Sequence, residues 1–334
     1  MDDNKAIYRA AEIIKGGGIV AFPTETVYGL GADAFNPLAV ARVFEVKKRP
    51  YFDPLIIHVA HPSDVEELVK EIPSNAKKLV EKFWPGPLTV VLLKEEDIPD
   101  IVTAGLPTVA IRMPNHPIAL SLIKESKCPI AAPSANPFGY LSPTTAEHVR
   151  DQLGDQVDLI LDGGPCPVGV ESSIVSFLEE GPRLLRPGGV SLEEIESIIG
   201  KVEVTSIKED RPSAPGMLPR HYAPRTPIVL NWDEKYLDLY KDKNIGLLAF
   251  QETKNNLKFH SIEVLSKKGD IREAAANLFA AIRRMDALNL DLIVAETIPE
   301  IGLGRAIMDR LRRASQSITS PPLVGGEKGE GELL

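Results

Sequence analysis

The chain has 334 residues, 43% of them hydrophobic and 25% charged, which is the balance of a globular protein with enough apolar material for two cores. Its formal net charge of -9 argues against tight non-specific binding of nucleic acid. Two cysteines outside any CxxC pair, a charged opening segment and no apolar run near ~20 residues argue against a disulfide framework, a zinc ribbon, a secretory leader and a membrane span, so the cytoplasm is the expected compartment.

Residues 5–15 carry the spacing of an amphipathic helix, and Gly16, Gly17 and Gly18 end it. Ile19 to Phe22 reads as a short buried strand. A helix is expected over 37–46, with Asn36 as N-cap and Pro37 in its first position. Leu55 to Val59 reads as a strand, and helical spacing follows over 63–70 and 74–83. Strands are expected at 88–93 and 108–113, a helix at 116–125 and a strand at 129–132. Thr144 to Leu153 reads as helical with Gly154 as its stop, followed by strands at 157–161, 172–178 and 183–186. Ser191 and Glu194 form a capping box for a helix over 191–199. Neighbouring strands without intervening helices predict a mixed sheet for residues 1–200.

Residues 201–227 are rich in proline and charge and read as a semi-rigid linker that also holds Arg220, His221 and Tyr222. A smaller α/β domain is expected over 228–320. Its strands fall at 228–230, 245–250, 261–265 and 292–295, and Ile271, Ala275, Leu278, Ile282 and Met285 mark one face of a helix. A basic helix over 303–316 reads as a solvated face carrying Arg305, Arg310, Arg312 and Arg313, and 321–334 as a disordered tail.

No GxxxxGK(S/T) loop, GxSxG or HExxH is present, which removes the simplest support for a Walker-type NTPase, a serine hydrolase or a zincin. Gly29 to Ala34 fits only a loose GxGxxA, and Gly302 and Gly304 lack a third glycine. His58 and His61, in an extended segment, read as a strand-end and a loop histidine rather than a metal pair.

Four segments concentrate polar chemistry. PTETVYGLG (23–31) reads as a loop that packs hydroxyls, a carboxylate and glycines after a strand. Lys47, Lys48 and Arg49 follow a helix, where cations suit the helix dipole and can equally clamp phosphate. APSANPFGYLSPTT (132–145) has the small side chains that let a ligand approach the backbone, or that build a turn and an N-cap. VESSIV (170–175) and LLRPG (184–188) place Arg186 at a strand end.

In this order, and together with KKRPYFDPLIIH (47–58) and TVAIRMP (108–114), these segments resemble the YrdC-like threonylcarbamoyl-AMP synthase family. SAPGMLPRHYAP (213–224) and GLGRAIMDRLRRAS (302–315) resemble its long two-domain form. The resemblance implies an α/β fold: a YrdC-like twisted mixed sheet with helices and a basic concave cavity, a linker across the cavity mouth, and a smaller Rossmann-like C-terminal domain. It implies the synthesis of threonylcarbamoyl-AMP from L-threonine, bicarbonate and ATP with Mg, the first step of threonylcarbamoyladenosine formation in tRNA. The product would pass to a tRNA threonylcarbamoyltransferase complex.

Carried over by position, Thr26, His58, Arg112, Ala132 and Ser172 would contact threonine. Lys47, Arg49, Ser134 and Asn136 would serve catalysis, and Lys47, Arg49, Thr108, Ser134, Ser142, Arg186 and Tyr222 would contact ATP. Many members have asparagine where this chain has Asp53, and an aspartate would repel phosphate unless a cation intervenes. Because the substrate supplies its own nucleophile, the protein's task is alignment and charge stabilisation, and Arg49→Ala is expected to lose turnover with little loss of fold.

Two competing readings are a carbamoyltransferase of the hydrogenase-maturation kind and an RNA-binding protein without catalysis. The first lacks its CxxC repeats here; the second is disfavoured by the charge of -9 and the 6% aromatic content.

Overall fold

The computed structural model of the chain describes residues 3–178, 181–205, 214–217, 221–230, 232–233, 237, 240, 242–252 and 258–315. The expected tail, 321–334, lies outside the described residues, as do Arg220 and parts of the expected linker.

Local signals set most boundaries of the first domain. Its elements are α1 (Asp3–Lys15), β1 (Val20–Phe22), β2 (Gly29–Asp33), α2 (Pro37–Lys47), β3 (Ile56–His58), α3 (Ser74–Phe83), β4 (Leu88–Leu93) and α4 (Asp100–Thr103). They continue with β5 (Thr108–Arg112), α5 (Pro117–Ser126), β6 (Ile130–Ala131), α6 (Ala146–Leu153), β7 (Leu159–Ile160), β8 (Ser173–Ser176), β9 (Arg183–Arg186), α7 (Leu192–Ile199) and β10 (Glu203–Val204). The Asn36 side chain accepts hydrogen bonds from the Leu38 and Ala39 amides, and Ser191 and Glu194 close a reciprocal capping box on α7.

Two expectations need correction. Residues 29–33 form a strand rather than part of a loop. Two glycines in five residues hide it, yet Gly31 is required: a Cβ there would stand 2.6 Å from Ile130 and 2.7 Å from Phe22. Residues 63–70 do not form a helix. Only a 3-10 turn over Pro62–Val65 appears, because the backbone that follows pairs with the end of β4, the Lys70 amide donating to Leu93 O and that of Glu95 to Leu68 O. Val65, Leu68 and Val69 are buried at helical spacing without a helix.

The ten strands form one mixed sheet in the order β10-β9-β8-β4-β5-β3-β6-β2-β1-β7. β3 and β5 run parallel at its centre, with His58 opposite Arg112. The main core packs α2, α3 and α7 residues such as Val43, Phe44, Leu79 and Ile195 against the sheet.

The second domain is a parallel sheet in the order β11-β14-β12-β13, built from β11 (Ile228–Val229), β12 (Ile245–Ala249), β13 (Ser261–Val264) and β14 (Leu292–Ala295). Among the described residues, helices α8 (Ile271–Asp286) and α9 (Gly304–Ser315) belong to it, and Leu278, Ile282 and Met285 of α8 are buried. Val27, Leu141 and Val170 of the first domain enter the same apolar cluster. Gly169, at φ +75°, makes that docking close: a Cβ there would lie 2.4 Å from Ala276 Cα on α8.

Candidate active site

Parallel β3 and β5 end side by side, and the segment after β6 continues along β3, with the Ala132 amide donating to Ile56 O at 2.9 Å. The segment then crosses to β2, where Ser134 bridges Gly29. One cleft opens at this edge. Thr26, His58, Arg112, Ala132, Ser172, Arg49, Ser134, Arg186 and Tyr222 all line it. Nine of the expected site residues thus share one cavity.

Arg112 is 3% exposed and is held by three partners. Its Nη2 lies 2.7 Å from Glu25 Oε1, its Nη1 donates to Thr26 Oγ1 at 2.9 Å and its Nε to Gly86 O at 3.2 Å. Glu25 is fixed in turn by the Asn115 amide at 3.0 Å. Glu25 was not among the expected site residues; its signal was a carboxylate beside Thr26 in a hydroxyl-rich loop. Ser172 shares a hydrogen bond of 2.7 Å with Thr89, and its carbonyl accepts from Arg186 Nη2 at 2.9 Å.

The remaining expected residues stand behind the cavity wall. Lys47 is 1% exposed, and its ammonium donates to the carbonyls of Ser134 and Asn136, so it ties down the 134–137 loop rather than facing the cleft. Burial pushes its pKa well below the usual lysine range, with the Arg49 charge adding to the effect. The Asn136 amide donates to Pro137 O and Tyr140 O, and Ser142 donates to Glu171 at 2.5 Å. Thr108 sits at the start of β5, four residues before Arg112, and lies outside the lining.

Asp53 is fully buried, 2.9 Å from Arg49 Nη2. Burial raises its pKa, while Arg49, Lys47 and Arg186 pull it down. Its negative charge is therefore neutralised by protein cations. Arg49 also donates to the carbonyls of Asp53 and Pro54 at 3.0 and 2.8 Å. Among the described residues, no group of three or more His, Cys, Asp and Glu side chains is arranged to hold a metal ion. His58 sits in β3, while His61 caps the 3-10 turn.

Pro215, Gly216, His221 and Tyr222 of the linker close one side of the cleft. Arg186 Nη1 donates to Pro215 O at 3.0 Å. Tyr222 adopts φ 62°, a strained conformation for a side-chain-bearing residue, and is over-determined by Phe279 and Arg310 against its ring, at 5.6 and 5.2 Å. This corrects the expected solvated face of α9. Arg310 and Arg313 are 1% and 3% exposed and point into the protein, whereas Arg305 and Arg312 pair with Glu193 and Glu300 nearer the surface.

Two buried histidines and one half-buried histidine give the fold a pH dependence. Burial and the Arg112 charge lower His58 to about 3, and burial with Arg283 and Arg284 lowers His148 to about 4. His221 is also held well below its usual value, by burial and then by Arg49 and Lys47. The unfolded chain takes up protons on these rings near pH 6.5 and the folded chain does not. Their stabilisation is complete above that pH and is lost as pH falls toward about 4. Urea midpoints measured from about pH 7 to about pH 4.5 should decline, and His148→Asn should flatten the decline. Unchanged midpoints would show these rings to be protonated in the folded protein.

Residues 12–188 match the Sua5/YciO/YrdC family model, described as "Telomere recombination", and residues 190–316 match a model described as "Threonylcarbamoyl-AMP synthase, C-terminal domain". A threonylcarbamoyl-AMP synthase of Pyrococcus abyssi is 47% identical over 317 residues, covering 92% of this chain and 93% of its own. One from Bacillus subtilis is 43% identical over 320 residues, covering 92% of each. The crystal structure of P. abyssi Sua5 complexed with L-threonine superposes with a TM-score of 0.88 at 45% identity over 95% of both chains.

Proposed function

This chain belongs to the Sua5/YciO/YrdC family, and from that premise we propose that it is an enzyme that makes threonylcarbamoyl-AMP from L-threonine, bicarbonate and ATP, releasing pyrophosphate. It is then a nucleotidyltransferase supplying the first step of threonylcarbamoyladenosine formation in tRNA, with a threonylcarbamoyl-transferring partner as consumer of the product. No helix among the described residues is long and apolar enough to cross a membrane. The proposed compartment is the cytoplasm.

The observation that carries the reading is the cleft itself, where three arginines, Arg49, Arg112 and Arg186, line one small cavity with hydroxyls and small side chains between them. Two of the substrates are anions and the third carries a carboxylate, so three guanidiniums in one enclosed space fit them. Arg112, already forked between Glu25 and Thr26, suits the threonine carboxylate. His58 is neutral at working pH, so it contacts threonine as a hydrogen-bonding ring without adding charge.

In the first step the neutral threonine amine forms a C–N bond to bicarbonate with loss of water, or to carbon dioxide with loss of a proton, and becomes a carbamate. One carbamate oxygen then attacks the α-phosphorus of ATP, and the bond to the bridging oxygen breaks to release pyrophosphate. Magnesium enters with the triphosphate as part of the substrate. Arg49 and Arg186 stabilise charge on the phosphates, and Ser134 lends a hydroxyl. Lys47 and Asn136 act by holding the loop that carries Ser134. The linker residues Gly216 and Tyr222 keep water from a hydrolytically labile product.

Pyrophosphate release from ATP and magnesium, with threonine and bicarbonate omitted in turn, tests this. Release that needs both supports the reading. Release without threonine, or none with all substrates present, overturns it.

A further inference from the structure

Helix α9 belongs to the second domain, yet two of its arginines end inside the wall of the first domain's cleft. Arg310 donates from Nε to Glu171 Oε2 at 2.9 Å and from Nη1 to Pro187 O at 2.7 Å, and its guanidinium lies over the Tyr222 ring. Asp309 sits between the two arginines, 2.8 Å from Arg310 Nη1 and 3.0 Å from Arg313 Nε. Arg313 Nη1 in turn donates to Met217 O of the linker at 2.8 Å. All three side chains are under 9% exposed.

Glu171 gives this arrangement its chemical meaning. It lines the cleft, is 6% exposed, and is a carboxylate in a space proposed to receive a triphosphate. Unpaired, it would repel that ligand strongly, because charges in a buried site are poorly screened. Arg310 is its closest cation and, with Arg186 and Ser142, holds its pKa below the usual carboxylate range against the effect of burial.

We propose that Arg310 is a positioning residue for nucleotide binding, contributed by the second domain: it neutralises and orients Glu171 and, together with Arg313 through Met217, holds the linker against the cleft. The second domain is thereby part of the active-site wall. This rests on the proposed binding of ATP in the cleft.

The test is calorimetric binding of ATP with magnesium, and of threonine, to the full chain and to Arg310→Gln, Glu171→Gln and the double variant. ATP binding to Arg310→Gln should weaken ~10-fold or more, with threonine affinity within ~3-fold. Adding Glu171→Gln should restore most of the lost ATP affinity, because no unpaired carboxylate then remains. A double variant no better than Arg310→Gln would show a merely structural role and overturn the proposal, as would unchanged ATP affinity in Arg310→Gln. Should Arg310→Gln be too unstable to assay, Glu171→Gln alone reads the same electrostatics: it should bind ATP at least as tightly as the wild type, and weaker binding overturns the proposal. Failure of pyrophosphate release in a wild type that binds ATP would count against the proposed reaction and leave this inference standing.

Discussion

An Arg49→Ala variant should lose stability together with turnover, contrary to the sequence-based expectation that its fold would hold. Arg49 and Asp53 form a buried ion pair at 2.9 Å, with side chains 4% and 0% exposed. Removing the guanidinium takes the ion-pair partner from the Asp53 carboxylate and leaves the carbonyls of Asp53 and Pro54 without their donor. Breaking such a pair from one side costs about 3–5 kcal/mol. Adding Asp53→Asn removes the stranded charge, so the double variant should recover most of the urea midpoint. It should recover none of the turnover, which falls ~10²-fold or more when a charge-stabilising donor is lost. The pair of variants thus separates folding from chemistry. Wild-type midpoints and near-normal pyrophosphate release in Arg49→Ala would remove Arg49 from both roles.

What the sequence made legible follows from the range of the forces involved. Caps and periodicities act within one turn or one strand. Asn36 and Pro37, the Ser191–Glu194 box and the apolar spacing of α8 were therefore readable and appear as expected. Glycine hid β2 because propensity disfavours it there, while the packing of Phe22 and Ile130 demands it. The arginines of α9 misled for a longer-range reason. A basic amphipathic pattern cannot reveal that one face meets a buried carboxylate on another domain, and Glu171 and Arg310 stand 139 residues apart. The site motifs located loops that share one cavity but did not rank their members. Lys47 and Ser142 sit behind the wall, and only the direction of each side chain separates support from lining. Glu25 and Asp53 were visible as acidic residues in their motifs, yet their role as counter-ions depends on three-dimensional pairing.

Arg112→Lys should raise the threonine concentration needed for half-maximal pyrophosphate release ~100-fold while leaving the fold close to wild type. Lysine keeps a positive charge beside Glu25, so no buried carboxylate is abandoned. It cannot reproduce the planar fork that reaches Glu25, Thr26 and Gly86 at once while the guanidinium lines the cleft. Losing a bidentate, charge-assisted contact in a buried site is worth about 2–3 kcal/mol, which sets the expected ~100-fold. ATP affinity should change little, because the phosphates are proposed to meet Arg49 and Arg186 instead. Arg112→Ala should lose the same affinity and stability besides, since Glu25 then stands unpaired. If Arg112→Lys keeps a normal threonine dependence, the carboxylate is read by charge alone or by another residue.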